Sequence, residues 1–319
     1  MACENHISGK DVAEAAQRIG SLVHRTPVLT CSTLDRMSGA SLFFKCENFQ
    51  KVGAFKFRGA LNAVLALPEK EARKGVVTAS SGNHAAALAL AARIRGIRAT
   101  VVMPENAPAI KKAAVAGYGA EIVYCEPDPE ARTEKLSQVA KVVGAVLIHA
   151  YNDRQVIAGQ GTACLELMNR VAGLEAVIAP VGGGGLLSGT ATAAKGLDPA
   201  ITVLGAEPAG ADDAFRSLKE NRILPSINPR TVADGLLTSL GSLTFPIIRE
   251  KVERIIRVEE DEITAAMRMI WERMKIIVEP SAAVALAGVL NSKDALAGKR
   301  IGVILSGGNL DLEALPWAA

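Results

Sequence analysis

Short aliphatic and β-branched runs alternate along the chain with longer Ala-rich stretches. From residue 75 the order is GVVTAS then NHAAALALAARIRG, RATVVMP then APAIKKAAVAGYG, AEIVYCE then EARTEKLSQVAKVVG, and AVLIHAY. A strand-length apolar run followed by a helix-length stretch, repeated, is the pattern of parallel βαβ units. A second series follows with EAVIAPV, a glycine run, LLSGTATAAKGL, ITVLGAE, RIIRVEEDEITAAMRMIWERM, PSAAVALAGVL and KRIGVILSGGN. The pattern predicts an α/β protein with two parallel sheets or one very wide sheet. Residues 75–152 are expected to form a small domain inserted in a large one made of 1–74 and 153–319. The Pro-, Gly-, Ser- and Asn-rich stretch NRILPSINPRTVADGLLTSLGSLTFP reads as an extended excursion from the second series.

Composition narrows the partners. With 319 residues the chain is long enough for two lobes, and 36 basic against 33 acidic residues are spread without a basic stripe. That excludes a nucleic-acid or anionic-membrane surface and leaves small molecules. Charged residues interrupt nearly every apolar run before it reaches membrane-spanning length. The start, MACENHISGKDVAEAAQRIG, has no apolar core of a secretory signal, so a cytoplasmic location is expected. Cys3, Cys31, Cys46, Cys125 and Cys164 are odd in number, widely spaced and free of C-x-x-C pairs, which suits reduced thiols.

Four stretches carry candidate chemistry. In APVGGGGLLSGTA, Gly182, Gly183, Gly184 and Gly185 stand between a strand and a helix. Removing every side chain there lets backbone N–H groups and the helix N-terminus close around an anion such as a phosphate. The same region also allows a nicotinamide dehydrogenase, since Gly183, Gly185 and Gly189 have G-x-G-x-x-x-G spacing and Glu207 ends the next strand. In TASSGNHAAALA, Ser80, Ser81, Asn83 and His84 put hydroxyl, amide and imidazole groups at a helix start. In VILSGGNLD, Ser306 to Asn309 leave the C-terminal end of an apolar strand, the edge where open α/β sheets bind ligands. In KVGAFKFRGA, Lys56 lies between Phe55 and Phe57 in a chain only 4% aromatic.

Together, the lysine of GAFKFRGA, the SSGNH turn, the GGGG loop and the terminal SGGN resemble the pyridoxal-phosphate enzymes of fold type II, the β-family. Within it the resemblance is to serine racemases and serine/threonine dehydratases, and it extends over nearly the whole chain through LFFKCENFQK, VIAGQGT, ADG and WERMK. It implies two open twisted sheets flanked by helices, with the cofactor in the cleft between domains and the small domain closing over substrate. It implies racemisation of serine with competing α,β-elimination to pyruvate and ammonia. The alternative is a dehydratase of L-threonine or threo-3-hydroxyaspartate. A plain ligand-binding regulator is the reading outside enzymology.

By this resemblance Lys56 would form the Schiff base with the cofactor aldehyde and act as acid/base on one face of the substrate Cα, with Ser81 on the other. The apolar flanks disfavour the ammonium form, which keeps the amine nucleophilic. Phe55 would pack on the pyridine ring, Asn83 meet its 3′ oxygen, Ser306 face its nitrogen, Gly182 to Gly185 hold the phosphate and Gly235 complete the cofactor site. Ser80, Ser81, Gly82, Asn83, His84 and Tyr151 would bind substrate. In GAEPAGADDAF, Glu207, the Ala211 carbonyl and Asp213 resemble a divalent-cation loop suited to Mg²⁺ or Ca²⁺. A homodimer is also implied.

Some residues depart from the pattern. Animal serine racemases have SSGNHGQA and use that glutamine in a nucleotide triphosphate site; here Ala86 takes its place, which stands against ATP as an effector although Tyr118, Lys275 and Asn309 match. Tyr151 stands where those racemases carry asparagine, and Arg154 where dehydratases usually have proline. A guanidinium in that segment could pair with a second carboxylate, favouring 3-hydroxyaspartate or aspartate. Only ten residues follow Asn309, so control by a C-terminal regulatory domain is not expected.

Overall fold

The computed structural model describes residues 7–107 and 109–317; Cys3 lies outside them. Among these residues ten strands form two sheets rather than one wide one. The larger contains β1 (Val28–Leu29), β2 (Ser41–Cys46), β7 (Ala176–Pro180), β8 (Thr202–Pro208), β9 (Arg254–Val258) and β10 (Arg300–Leu305). Its order is β1-β2-β10-β7-β8-β9, parallel except for the β1–β2 pair. The smaller contains β3 (Val76–Ala79), β4 (Ala99–Pro104), β5 (Glu121–Cys125) and β6 (Val146–Leu147), all parallel, in the order β5-β4-β3-β6.

Burial on both faces explains the near-continuous apolar strands. In β7, Val177 and Ala179 pack with the helices Arg154–Arg170 and Gly185–Leu197, while Ala176 and Ile178 pack with the helix Pro280–Asn291 on the opposite face. The small sheet buries Val76, Val101 and Met103 against the helix Asn83–Arg95 and against the helix Lys56–Ala66. Its four strands fall within residues 75–152, yet its core also draws on Ile19, Phe57, Leu61 and Val64 from outside that range.

The helix that begins at Lys56 is held on both sides. It crosses the helix Arg154–Arg170 at backbone contact, since a Cβ on Gly159 would lie 2.6 Å from Gly59 Cα. One residue on from Lys56 but one, fully buried Arg58 donates to Glu47 at 2.7 and 2.9 Å and to Glu166 at 2.8 and 2.9 Å. Buried Lys45 adds a 2.6 Å bond to Glu166, so two cations and two carboxylates neutralise one another beside the site.

Candidate active site

In each sheet the parallel strands place their C-terminal ends on one edge, and the motifs leave those ends. The glycine run follows β7, Ser306 follows β10, and the Ser80–His84 turn follows β3. Ala54 bridges Gly307, and Phe55 N donates to Ser306 O at 2.9 Å, which sets Lys56 beside the end of β10. Lys56 Nζ donates to Ala150 O at 3.0 Å and lies 5.1 Å from the centre of the Phe55 ring. Burial pulls its pKa down to about 8, with Glu279 pulling back toward the charged form.

Gly182 to Gly185 are buried, and the helix they open has no side-chain cap. Its first N–H groups are therefore left for an external anion, as a phosphate cradle requires. Close neighbours explain why side chains are missing. A Cβ on Gly182 would lie 2.9 Å from Leu236 Cα, and one on Gly183 would lie 2.4 Å from the Tyr151 ring. Gly184 has φ +87°, which favours glycine. Gly235 N donates to Ser281 Oγ at 3.0 Å beside this loop. An uncapped, glycine-lined helix start near a lysine of lowered pKa is a donor set that fits pyridoxal phosphate.

His84 is buried, with Nε2 3.3 Å from Ile148 O and Nδ1 without a partner. Its pKa is pushed down to about 3 by burial and by Lys56, so it acts as a neutral hydrogen-bonding group. Ser80 Oγ accepts from Gly82 N at 3.3 Å, and nothing lies within 4 Å of a Cβ built on Gly82. Asn83 Nδ2 donates to both oxygens of Glu279 at 3.1 Å, and Asn83 Oδ1 accepts from Asn309 Nδ2 at 2.9 Å. Glu279 is the residue sequence reasoning missed. It is 4% exposed, burial pushes its pKa up to about 7, and its only signal is a glutamate directly before a Pro-initiated apolar helix.

His149 was likewise unforeseen. Its Nδ1 accepts from Tyr151 N and Asn152 N at 3.3 and 3.0 Å, so the neutral ring carries its proton on Nε2. Arg154 Nη2 donates to Asp11 Oδ1 at 3.0 Å, which engages the guanidinium with the helix Gly9–Ile19. Tyr118 packs against the small-sheet core, and Ala86 is buried.

Glu207 is fully buried, and its oxygens accept from Ala214 N and Phe215 N at 2.9 and 2.8 Å. The carboxylate therefore caps a helix and is not presented to a ribose. Asp213 is also buried, and neither of its oxygens has a hydrogen-bond partner. Burial raises both pKa values, to about 9 for Glu207 and about 6 for Asp213. Two buried carboxylates, one of them orphaned, are a donor set that suits a hard cation. Among the described residues none of the cysteines Cys31, Cys46, Cys125 and Cys164 is paired, and no helix is long and apolar enough to cross a membrane.

The chain belongs to the family described as pyridoxal-phosphate dependent enzymes, which it matches over residues 19–307. It is 53% identical to serine racemase of Dictyostelium discoideum over 310 residues, 96% of each chain. It is 49% identical to beta-hydroxyaspartate dehydratase of Paracoccus denitrificans over 308 residues, 97% of this chain and 98% of that protein. The crystal structure of the Dictyostelium enzyme superposes with a TM-score of 0.93, covering 96% of this chain and 99% of that one. These likenesses, with the two helix-flanked sheets, establish the fold type II architecture and an enzyme that uses pyridoxal phosphate.

Proposed function

We propose that the enzyme racemises serine and also eliminates water from it, the released aminoacrylate being hydrolysed by water to pyruvate and ammonia. The observation that carries this reading is a Lys56 amine with lowered pKa, within electrostatic reach of the buried His84 that ends the Ser80–His84 turn. Identity of 53% to a serine racemase supports it.

Pyridoxal phosphate, which Lys56 would hold until the substrate amine takes its place and frees the lysine, would supply the electron sink for the charge left when the α-proton departs. Asn83, Ser306, Phe55, Gly235 and the Gly182–Gly185 cradle would hold and orient it. Lys56 takes the α-proton from one face of Cα and Ser81 returns one from the other, as inversion requires. In elimination the proton held by Lys56 leaves with the β-hydroxyl as water. Ser80, Gly82, neutral His84 and Tyr151 orient the substrate by hydrogen bonds. Glu207, Asp213 and the Ala211 carbonyl would hold Mg²⁺ or Ca²⁺, a structural charge that neutralises two buried carboxylates.

Dehydration of threo-3-hydroxyaspartate is the second reading, favoured by the 49% identity to a beta-hydroxyaspartate dehydratase. Arg154 would have to release Asp11 to meet a second carboxylate. Arg132 is another candidate, since its charge reaches Tyr151. Buried Ala86 offers no hydrogen-bonding side chain, which speaks against ATP activation. We place the enzyme in the cytoplasm as a homodimer; the exposed Phe49 and Ile277, joined through Asn48 Nδ2 to Ile277 O at 3.0 Å, would suit a subunit contact. The test is Ser81→Ala: D-serine formation should fall at least a hundredfold while the α-proton of L-serine still exchanges with solvent deuterium. Equal loss of both would remove Ser81 from the second face.

A further inference from the structure

Thr244 is fully buried and opens the helix Thr244–Lys251, yet its hydroxyl reaches out of that helix to the glycine run. Oγ1 accepts from Gly241 N at 2.8 Å and donates to Gly183 O at 2.9 Å. Gly241 O lies further off, at 3.3 Å, so the single hydroxyl proton goes to Gly183. Fully buried Ser188, in the first turn of the helix Gly185–Leu197, donates its Oγ to Thr244 O at 3.3 Å. Thr244 is thus tied once to the glycine run and once to the helix it opens. A threonine serving only its own turn needs neither bond.

The bond to Gly183 O has a direction. In a trans peptide the carbonyl and the next N–H point opposite ways, and the described residues hold no cis peptide. With its oxygen drawn onto Thr244, the Gly183–Gly184 peptide turns the Gly184 N–H away from Thr244. That N–H is one of the donors left at the uncapped helix start for an outside anion. Gly184 is seated on the same shelf: a Cβ there would lie 2.9 Å from Thr244 Cβ and 2.8 Å from Leu240 Cδ2 and Ile248 Cδ1. The Tyr151 ring lies against the neighbouring Gly183, so the loop is gripped between shelf and ring.

The turn that carries Thr244 is fastened to the segment that carries Tyr151. Asn152 Oδ1 accepts from Leu243 N at 2.8 Å, and Asn152 Nδ2 donates to Ser242 Oγ at 3.1 Å. In the same segment Ala150 O receives Lys56 Nζ. One framework therefore sets both the glycine loop and the lysine.

We propose that Thr244 is a positioning residue for the cofactor phosphate: its hydroxyl fixes the Gly183–Gly184 peptide so that the Gly184 N–H is presented to the anion. The inference rests on the reading of Gly182–Gly185 as the phosphate cradle. It makes the hydroxyl matter to a ligand that carries a phosphate and not to one that lacks it.

The test compares two ligands on the full-length chain after its cofactor has been removed with cysteine. One is pyridoxal phosphate; the other is 5-deoxypyridoxal, which keeps the aldehyde and has no phosphate. Both are titrated by the absorbance of the Schiff base they form. Thr244→Val and Thr244→Ala should raise the Kd for pyridoxal phosphate about tenfold or more and that for 5-deoxypyridoxal by less than about twofold. Thr244→Ser, which keeps the hydroxyl, should bind both as the wild type does. Equal weakening for both ligands would make Thr244 a general packing residue and overturn the assignment, as would unchanged affinity for both. If Thr244→Val does not fold, Thr244→Ala against Thr244→Ser carries the same comparison. A wild type that binds the two ligands equally well overturns the cradle reading itself, so that failure is told apart from the failure of Thr244 alone.

Discussion

Lys56 and Glu279 are two ionisable groups that burial moves toward neutrality from opposite directions. The lysine was legible because Phe55 and Phe57 announce an apolar setting in a chain with few aromatics. Glu279 was not, because its environment is assembled from Asn83 and Asn309, 196 residues before it and 30 after. Its titration has a definite sign. Its pKa is raised from 4.5 to about 7, so below pH 4.5 the carboxyl is neutral in folded and unfolded chains alike. As pH rises through 7 the folded state must carry a buried charge, and stability on the order of 3 kcal/mol is lost. Urea unfolding of the apoprotein should show the wild type losing that much relative to Glu279→Gln between pH 5 and 8. Parallel pH profiles would contradict it.

At the scale of elements, the alternation of apolar runs marked the strands β3, β4, β5, β7, β8 and β10 nearly to their ends. AVLIHAY is the exception, pairing only over Val146–Leu147. Its remaining residues leave the sheet to build the wall of the site, where Ala150 O receives Lys56 and His149 receives two backbone N–H groups. An apolar run cannot reveal a strand that stops early to serve a side chain from elsewhere. The glycine loop was legible as a strand-to-helix turn, which the structure leaves without a side-chain cap, but not that Tyr151 would lie against it. Gly183→Ala would drive a methyl into that ring, 2.4 Å from Cδ1. We expect pyridoxal-phosphate affinity to fall about tenfold or more, as overpacking of roughly 1–3 kcal/mol implies. Tyr151→Ala in the same chain should recover part of it by fluorescence titration. No change in Gly183→Ala would show that the ring yields freely.

For the whole molecule, the class was readable because motifs far apart in sequence leave strand ends of both sheets and come together, Asn83 meeting Asn309 and Ala54 bridging Gly307. The charges beside them were not. Lys45 in SLFFKC and Arg58 in KFRGA look like solvated residues, yet both are buried and reach Glu166, 121 and 108 residues away. Arg58→Met should destabilise the protein by about 3–5 kcal/mol, because it strands two carboxylates. A thermal midpoint within experimental scatter of the wild type would mean those acids find protons or water instead. The measurement that bears most directly on the account is chiral product analysis with Mg²⁺ present, L-serine and L-threo-3-hydroxyaspartate being supplied separately and D-serine and keto acid quantified together. D-serine accompanied by pyruvate is the predicted result. Keto acid alone, formed fastest from hydroxyaspartate, would contradict it and make the enzyme a dehydratase.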